Sequence, residues 1–156
     1  MSKTASEISS PIWTLRLKQP QAISECVRVM EIESGASFLQ LHEAIQEAVD
    51  FDNDHLFRFY LGKHPDQHAY TIGGEPSWNG YNPVNRYRQI SLSSIWPLPK
   101  GYNLYYLFDF GDNWVFQINK TRHKDKVAQS EVKYPRVIEA KGKNPVQYSY
   151  LEYEEK

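Results

Sequence analysis

The chain has 156 residues, with 18 basic and 19 acidic side chains, a net charge of −1 and a single cysteine, Cys26. This length suits one domain with a hydrophobic core of its own. The balanced charge excludes a global basic field that would attract nucleic acid or anionic lipid. A single cysteine excludes an intramolecular disulfide and a zinc site built from a cysteine cluster.

The N-terminal residues lack the apolar segment that is typical of a signal peptide, and no apolar run has the length of a membrane span. We therefore expect a cytoplasmic protein with no membrane partner. We also expect a single domain over residues 11–150, with loose termini at residues 1–10 and 151–156.

Two strands are predicted at the start of the chain. Residues Ile12–Lys18 alternate between apolar and polar types, which is the period of a half-buried strand. A turn around Pro20 follows, and Cys26–Ile32 is a second strand that we expect to form a hairpin with the first.

An amphipathic helix is predicted for residues 37–50. Ser37 and Gln40 have the spacing of a capping box. The apolar stripe of this helix consists of Phe38, Leu41, Ile45, Ala48 and Val49. Gln46 falls on the opposite, polar side. His42 lies at the margin of the stripe, where we expect it to bond a carbonyl or a carboxylate; the alternative is a ligand or a general base.

A third strand is predicted over Leu56–Leu61, after a turn at residues 52–54. Residues 62–89 are rich in Gly, Pro, Asn and His, so we expect a long irregular loop of the kind that is functional or disordered. A short helical turn is predicted over Ser91–Trp96.

An aromatic hairpin over Tyr102–Lys120 is the clearest element of the sequence. Alternating apolar residues give each of its two strands one apolar face. A three-residue loop at 111–113 keeps both apolar sets on the same face, whereas a two-residue loop mixes them. Gly111 or Asn113 can supply the positive φ that the loop requires. The pairs predicted by this register are Phe110 with Trp114, Phe108 with Phe116, and Tyr106 with Ile118.

The order of these elements resembles a β-grasp-like arrangement. We therefore expect an α+β fold with a mixed β-grasp-like sheet (β-β-α-β-loop-β-β) and one main helix packed on one face.

Three segments resemble the plasmid pRiA4b ORF-3-like family, over about Trp13 to Tyr148. They are Leu41-His42-Glu43-x-Ile45, His55-x-x-x-Phe59 and Tyr106-x-Phe108-Asp109-Phe110-Gly111-Asp112-x-Trp114. The resemblance implies an α+β domain encoded on plasmids, mobile elements and bacterial or archaeal chromosomes, and it implies no established activity. Many relatives carry an acidic, proline-paired tail, from which Asn144–Tyr148 departs.

The function that we favour from the sequence is a non-enzymatic binding or interaction module, linked to plasmids or mobile elements and without a cofactor. Its partner would be a protein or a nucleic acid. Nucleic-acid association is the first alternative, because basic residues occur among aromatic ones. The candidate contacts are Arg86, Arg88, Lys120, Arg122 and Lys124.

A metal-dependent enzyme is the second alternative, built from His42, His55, Asp109 and Asp112. Two imidazoles and two carboxylates suit a divalent transition metal or general acid–base chemistry. The structural interpretation of the same residues is that Asp112 bonds amides of the hairpin loop and that Asp109 pairs with an Arg or a His, for which His42 and His55 are the candidates. On the residues alone we assign no metal and no catalytic residue.

Overall fold

The structure is a computed structural model that describes residues 8, 10–20, 25–54, 56–74, 83–109 and 113–145. The strands are β1 Ile12–Lys18, β2 Val27–Glu33, β3 Phe57–Gly62, β4 Tyr70–Thr71, β5 Asn103–Phe108, β6 Trp114–Lys120 and β7 Arg136–Lys141. The helices are α1 Phe38–Ala48 and α2 Pro83–Gln89, followed by one turn of 3-10 helix at Leu92–Ser94. No helix in this part of the chain is long and apolar enough to cross a membrane.

The seven described strands form one sheet in the order β4-β3-β5-β6-β1-β2-β7. All six neighbouring pairs are antiparallel. The expected mixed, β-grasp-like sheet is therefore wrong, and the fold is dominated by an antiparallel sheet. The reason is the number of strands between β1 and β3, which run in opposite directions. The β5–β6 hairpin places two strands between them, and an even number of alternating strands leaves every neighbouring pair antiparallel.

The central hairpin differs from its predicted register by two residues. Tyr106 lies opposite Phe116, and Phe108 lies opposite Trp114. The connection therefore has five residues, 109–113, rather than three. Its ends are set by Asp109 and Asn113, with φ of 62° and 56°, and the Asn113 N–H donates to the Asp109 carbonyl at 2.6 Å.

The predicted face of this hairpin is confirmed, because a slip of two residues keeps every side chain on its own side of the sheet. Phe108 and Phe116 are both in the main core. The predicted pairing of Phe110 with Trp114 involves a residue outside the described part of the chain.

Both helices pack on one face of the sheet. Ser37 caps α1, and its hydroxyl and the Gln40 side chain form the predicted capping box. From α2, the hydroxyl of buried Tyr87 accepts a hydrogen bond from the Phe59 N–H of β3 at 3.0 Å. A smaller apolar cluster of Tyr60, Tyr105 and Leu107 lies apart from this core.

Three elements were not predicted from the sequence. The 62–89 segment contains β4 and α2, so the expectation of little regular structure in it is wrong in part. The tail forms β7, which pairs with β2 at the edge of the sheet. Every residue of β7 is exposed, so the strand has no apolar alternation to reveal it.

Phe116→Ala should lower the free energy of unfolding by roughly 3–5 kcal/mol, because Phe116 is a fully buried aromatic residue and its removal leaves a cavity. Gln117→Ala is the matched control, since Gln117 is the next residue and faces the other side of the sheet; its effect should stay within about 0.5 kcal/mol. Urea unfolding measures both. Equal losses in the two variants would contradict the observed facing of β6.

Candidate functional site

A buried polar network joins helix α1 to the centre of the sheet. His42 and Gln46 stand four residues apart on α1, and this spacing places them on the same face of the helix. Tyr106 of β5 points at them from the sheet. Asn53 completes the group from the turn after α1, where its φ of 53° bends the chain back towards the helix.

Three side chains and both the backbone N–H and the side chain of Asn53 form a closed ring of hydrogen bonds. The Asn53 N–H donates to Gln46 Oε1 at 2.9 Å, and Gln46 Nε2 donates to the Tyr106 hydroxyl at 2.8 Å. The Tyr106 hydroxyl lies 2.6 Å from His42 Nδ1, and His42 Nε2 lies 2.6 Å from Asn53 Oδ1. The ring plane of His42 is fixed by Phe57, which stacks on it at 3.6 Å.

The positions of the protons follow from these contacts. Asn53 Oδ1 can only accept, so His42 carries its proton on Nε2 and leaves Nδ1 to accept from the Tyr106 hydroxyl. Burial lowers the pKa of His42 from 6.5 to about 4, although the hydrogen bond to Asn53 acts in the opposite direction. Burial also raises the pKa of Tyr106 well above 10, so the hydroxyl keeps the proton that it donates.

Three of the four residues of this network, His42, Gln46 and Tyr106, are buried, and Asn53 at its outer end is exposed. His42 is 2 % exposed and Tyr106 is 0 % exposed, so a solute has no direct path to the imidazole. All donors and acceptors of the imidazole are used within the protein. The arrangement therefore fixes α1 on the sheet, and an enzymatic use of His42 stays a prediction.

The other members of the predicted polar cluster are only partly described. His55 and Asp112 lie outside the described residues. Asp109 is buried, and its N–H donates to the Leu56 carbonyl at 2.9 Å. Since both ring nitrogens of His42 bond Tyr106 and Asn53, His42 is not the expected partner of Asp109. Among the described residues, no group of three or more His, Cys, Asp or Glu side chains is placed to hold a metal ion.

Sequence analysis missed three of the four residues in the network. Gln46 was assigned to the polar side of α1 but is buried. The one available signal was its spacing of four residues from His42. Tyr106 and Asn53 gave no signal, because each contributes through a contact with a distant part of the chain.

A second feature is an open cleft of about 390 Å³ between α1 and β7, which we call the α1–β7 cleft. Ala44, Glu47 and Ala48 of α1 form one wall. The floor and the opposite wall come from β2, from β7 and from the residues just before β7. Val137 and Ile138 of β7 are 44 % and 45 % exposed, which is high for large apolar side chains.

Arg28 anchors one end of this cleft. Its side chain is buried, no carboxylate of the described residues pairs with it, and its five N–H groups donate to oxygen atoms. The acceptors are the carbonyls of Val27, Ala48, Lys141 and Gly142 and the side-chain oxygen of Asn144. The contact with Ala48 places a cation at the carboxyl end of α1, which the helix dipole favours.

A glycine and two ion pairs of the buried Glu31 complete the frame of β7. Gly142 has a φ of 82°, and a Cβ atom there would lie 1.8 Å from the Glu25 carbonyl oxygen, so only glycine fits. Glu31 accepts from Lys126 at 2.6 Å and from Arg136 at 2.7 Å. Burial opposes the ionisation of Glu31, but these two hydrogen bonds outweigh it and lower the pKa of its carboxyl group.

The candidate nucleic-acid contacts occupy two elements. Arg86 and Arg88 are on α2, where Arg88 lines a cleft that it shares with Glu43. Lys120 ends β6, with its ammonium 5.0 Å from the centre of the Trp13 ring and 3.4 Å from Asp125. The two remaining candidates, Arg122 and Lys124, are exposed.

The free energy of unfolding should fall as the pH decreases from about 6.5 towards about 4. His42 has a lowered pKa in the folded state, so only the unfolded chain binds its proton in this window. Over the whole interval between these two pKa values, protonation of His42 should lower the free energy of unfolding by roughly 3 kcal/mol. Urea unfolding at several pH values measures the slope, and His42→Gln should remove this part of it while leaving the carboxylate part. Parallel slopes in the two proteins would contradict a neutral, buried His42.

Tyr106→Phe should cost roughly 1–3 kcal/mol of stability, because His42 Nδ1 and Gln46 Nε2 both lose a buried partner. Tyr105→Phe is the control, since the described residues give the Tyr105 hydroxyl a single, long contact of 3.5 Å, with Asn103. Adding Gln46→Leu to Tyr106→Phe should recover part of the loss, because it removes an unpaired donor. Strict additivity in this double-mutant cycle would show that the two side chains are not coupled.

Comparisons with known proteins give a family and a fold. The sequence profile of the plasmid pRiA4b ORF-3-like family matches residues 12–148. A crystal structure from Methanosarcina mazei Go1, titled as the protein of unknown function MM3350, is similar with a TM-score of 0.69 and 24 % identity. The match covers 93 % of this chain and 78 % of that one. No curated protein matches significantly. At this identity the structural likeness supports only the shared fold, but the profile spans most of the sequence, and the chain therefore belongs to the plasmid pRiA4b ORF-3-like family.

Proposed function

We propose that this protein is a non-catalytic interaction module that binds an extended segment of a partner protein along β7. The observation that supports this is the exposed edge of β7, six residues long, beside the open α1–β7 cleft. An extended peptide can add to such an edge through main-chain hydrogen bonds and place alternate side chains in a neighbouring pocket.

The residues around the cleft indicate the kind of segment that fits. Its surface is mainly apolar, with Met30, Ala44, Ala48 and Val137 among the lining residues. Because side chains of a strand alternate in direction, every second residue of the partner would face this surface, and we expect aliphatic or aromatic types there. The intervening residues would face the opposite side of the sheet.

A β-bulge and charged side chains of β7 limit which strands can pair with its edge. The register with β2 shifts between Val29 and Met30, which leaves Ile138 without a partner and marks a β-bulge. Arg136, Glu139 and Lys141 place charges along the strand. Bulges and charges are the devices by which edge strands avoid aggregation, so a partner must match this edge to bind.

The opposite edge of the sheet is a weaker candidate, because β4 has only two residues. The enzyme alternative is not favoured by the geometry of His42, which is enclosed and fully bonded. Since the family takes its name from a plasmid gene, proteins of plasmids and mobile elements are the first partners to test.

A displayed library of random peptides, selected on the purified protein, tests the proposal. Val137→Lys should weaken binding of selected peptides at least about tenfold, because it places a charge in the apolar cleft. Val127→Lys is the matched control: Val127 is 87 % exposed, does not line the cleft, and its replacement should leave binding unchanged.

Main-chain pairing gives a sharper criterion. An added strand bonds β7 through alternate peptide groups, so N-methylation of one alternate set of amides in a selected peptide should abolish binding, while methylation of the other set should not. Equal tolerance of both sets would exclude strand addition. A concentration-dependent dimer that competes with the peptide would instead assign the edge to a second copy of the chain.

A further inference from the structure

A third surface is a cleft of about 340 Å³ between the segment that precedes β5 and the end of β6. We call it the aromatic–lysine cleft, defined by Trp96, Tyr102, Asn103, Asn119 and Lys120. It shares no lining residue with the α1–β7 cleft. Its properties therefore bear on a function that is independent of β7.

The aromatic side chains of this cleft are held in place and remain half-exposed. Trp96 packs edge-on against Trp13, with ring centres 5.7 Å apart and planes at 81°. The ring centre of Tyr102 lies 5.8 Å from that of Tyr70, which is itself 58 % exposed. Fixed rings that are open to solvent on part of their surface can stack with a planar ligand at little cost in conformational entropy.

A lysine lies over each of two aromatic rings in this region. The Lys63 ammonium lies 5.6 Å from the centre of the Tyr102 ring, and the Lys120 ammonium lies 5.0 Å from that of Trp13. Exposed Arg122 and Lys124 continue the basic run after β6. Asp125 is an acidic member of that run, and it bonds the Trp13 indole at 3.3 Å and Lys120 at 3.4 Å. This region is thus locally positive although the chain carries a net charge of −1.

We infer that the aromatic–lysine cleft binds single-stranded nucleic acid. Unpaired bases stack on Trp96 and Tyr102, and the phosphates approach Lys63 and Lys120. Stacking platforms flanked by cations are the usual means of binding single strands without strong sequence preference. The side-chain amides of Asn103 and Asn119 line the same cleft and can hydrogen-bond base edges.

Base stacking distinguishes this ligand from two others that also seek cations. A duplex keeps its bases paired and offers only its phosphates to the lysines, and an acidic peptide offers carboxylates without the planar bases. Only a single strand uses the rings and the cations together. The two alternative ligands are therefore the comparison arms of the test.

Fluorescence anisotropy with labelled oligothymidylate and oligouridylate of about ten nucleotides measures binding at low salt. Tyr102→Ala should weaken it roughly tenfold, whereas Tyr102→Phe should retain it, because the ring alone provides the stacking surface. Lys141→Ala is the matched control. It removes an exposed cation of β7 that contacts Glu25, away from this cleft, and should leave affinity within about twofold.

The salt dependence of oligonucleotide affinity gives a second measurement, and its variants should not change the stability of the fold. Replacing Arg122 and Lys124 together by alanine should reduce the slope of log K against log salt concentration by up to about two. Both side chains are exposed, so an unchanged melting temperature should accompany the loss. Two results would overturn the inference: equal binding of duplex and single strand with no effect of Tyr102→Ala, or displacement by polyglutamate as effective as by unlabelled oligonucleotide.

Discussion

The insertion of the β5–β6 hairpin between β1 and β3 is the constraint on which the rest of the fold depends. It supplies the third and fourth of the seven described strands, and its apolar face carries Tyr106, Phe108 and Phe116 into the core. Three strands lie between β2 and β3, and since every neighbouring pair is antiparallel, β2 and β3 point in the same direction. The chain must therefore cross the sheet between β2 and β3, and α1 makes this crossing over the hairpin.

The polar ring of His42, Gln46, Asn53 and Tyr106 gives this crossing a defined position. Apolar packing alone favours burial of α1 but tolerates small displacements along the sheet, whereas buried hydrogen bonds lose most of their value when the distances change. Each polar group in the ring has a partner, so the cost of burying these groups is offset. This interpretation accounts for a histidine that is buried, neutral and remote from solvent.

Two surfaces of the domain, the outer side of β7 and the aromatic–lysine cleft, are open to solvent, unlike the core around Tyr106. At one edge, Arg28 and Gly142 fix the course of β7, whose outer side pairs with no strand among the described residues. At the cleft beside β6, fixed aromatic rings lie among lysines. The two surfaces share no lining residue, so a protein partner and a nucleic acid would have separate sites on one small domain. Neither site uses the enclosed polar ring, which agrees with a binding module whose core serves only to hold its surfaces in place.

Elements that depend on a local residue pattern were predictable from the amino-acid sequence. The limits of β1, the capping box of Ser37 and Gln40, and the shared face of Phe108 and Phe116 all follow from the spacing of neighbouring residues. Only the tertiary structure decided the strand order, the five-residue hairpin loop and the existence of β7. His42 was recognised as a candidate, but its partner Tyr106 lies 64 residues away. Arg28 and Asn144 are 116 residues apart. Such contacts form when distant segments meet in the folded chain, and the periodicity of a single segment contains no record of which partner it will meet.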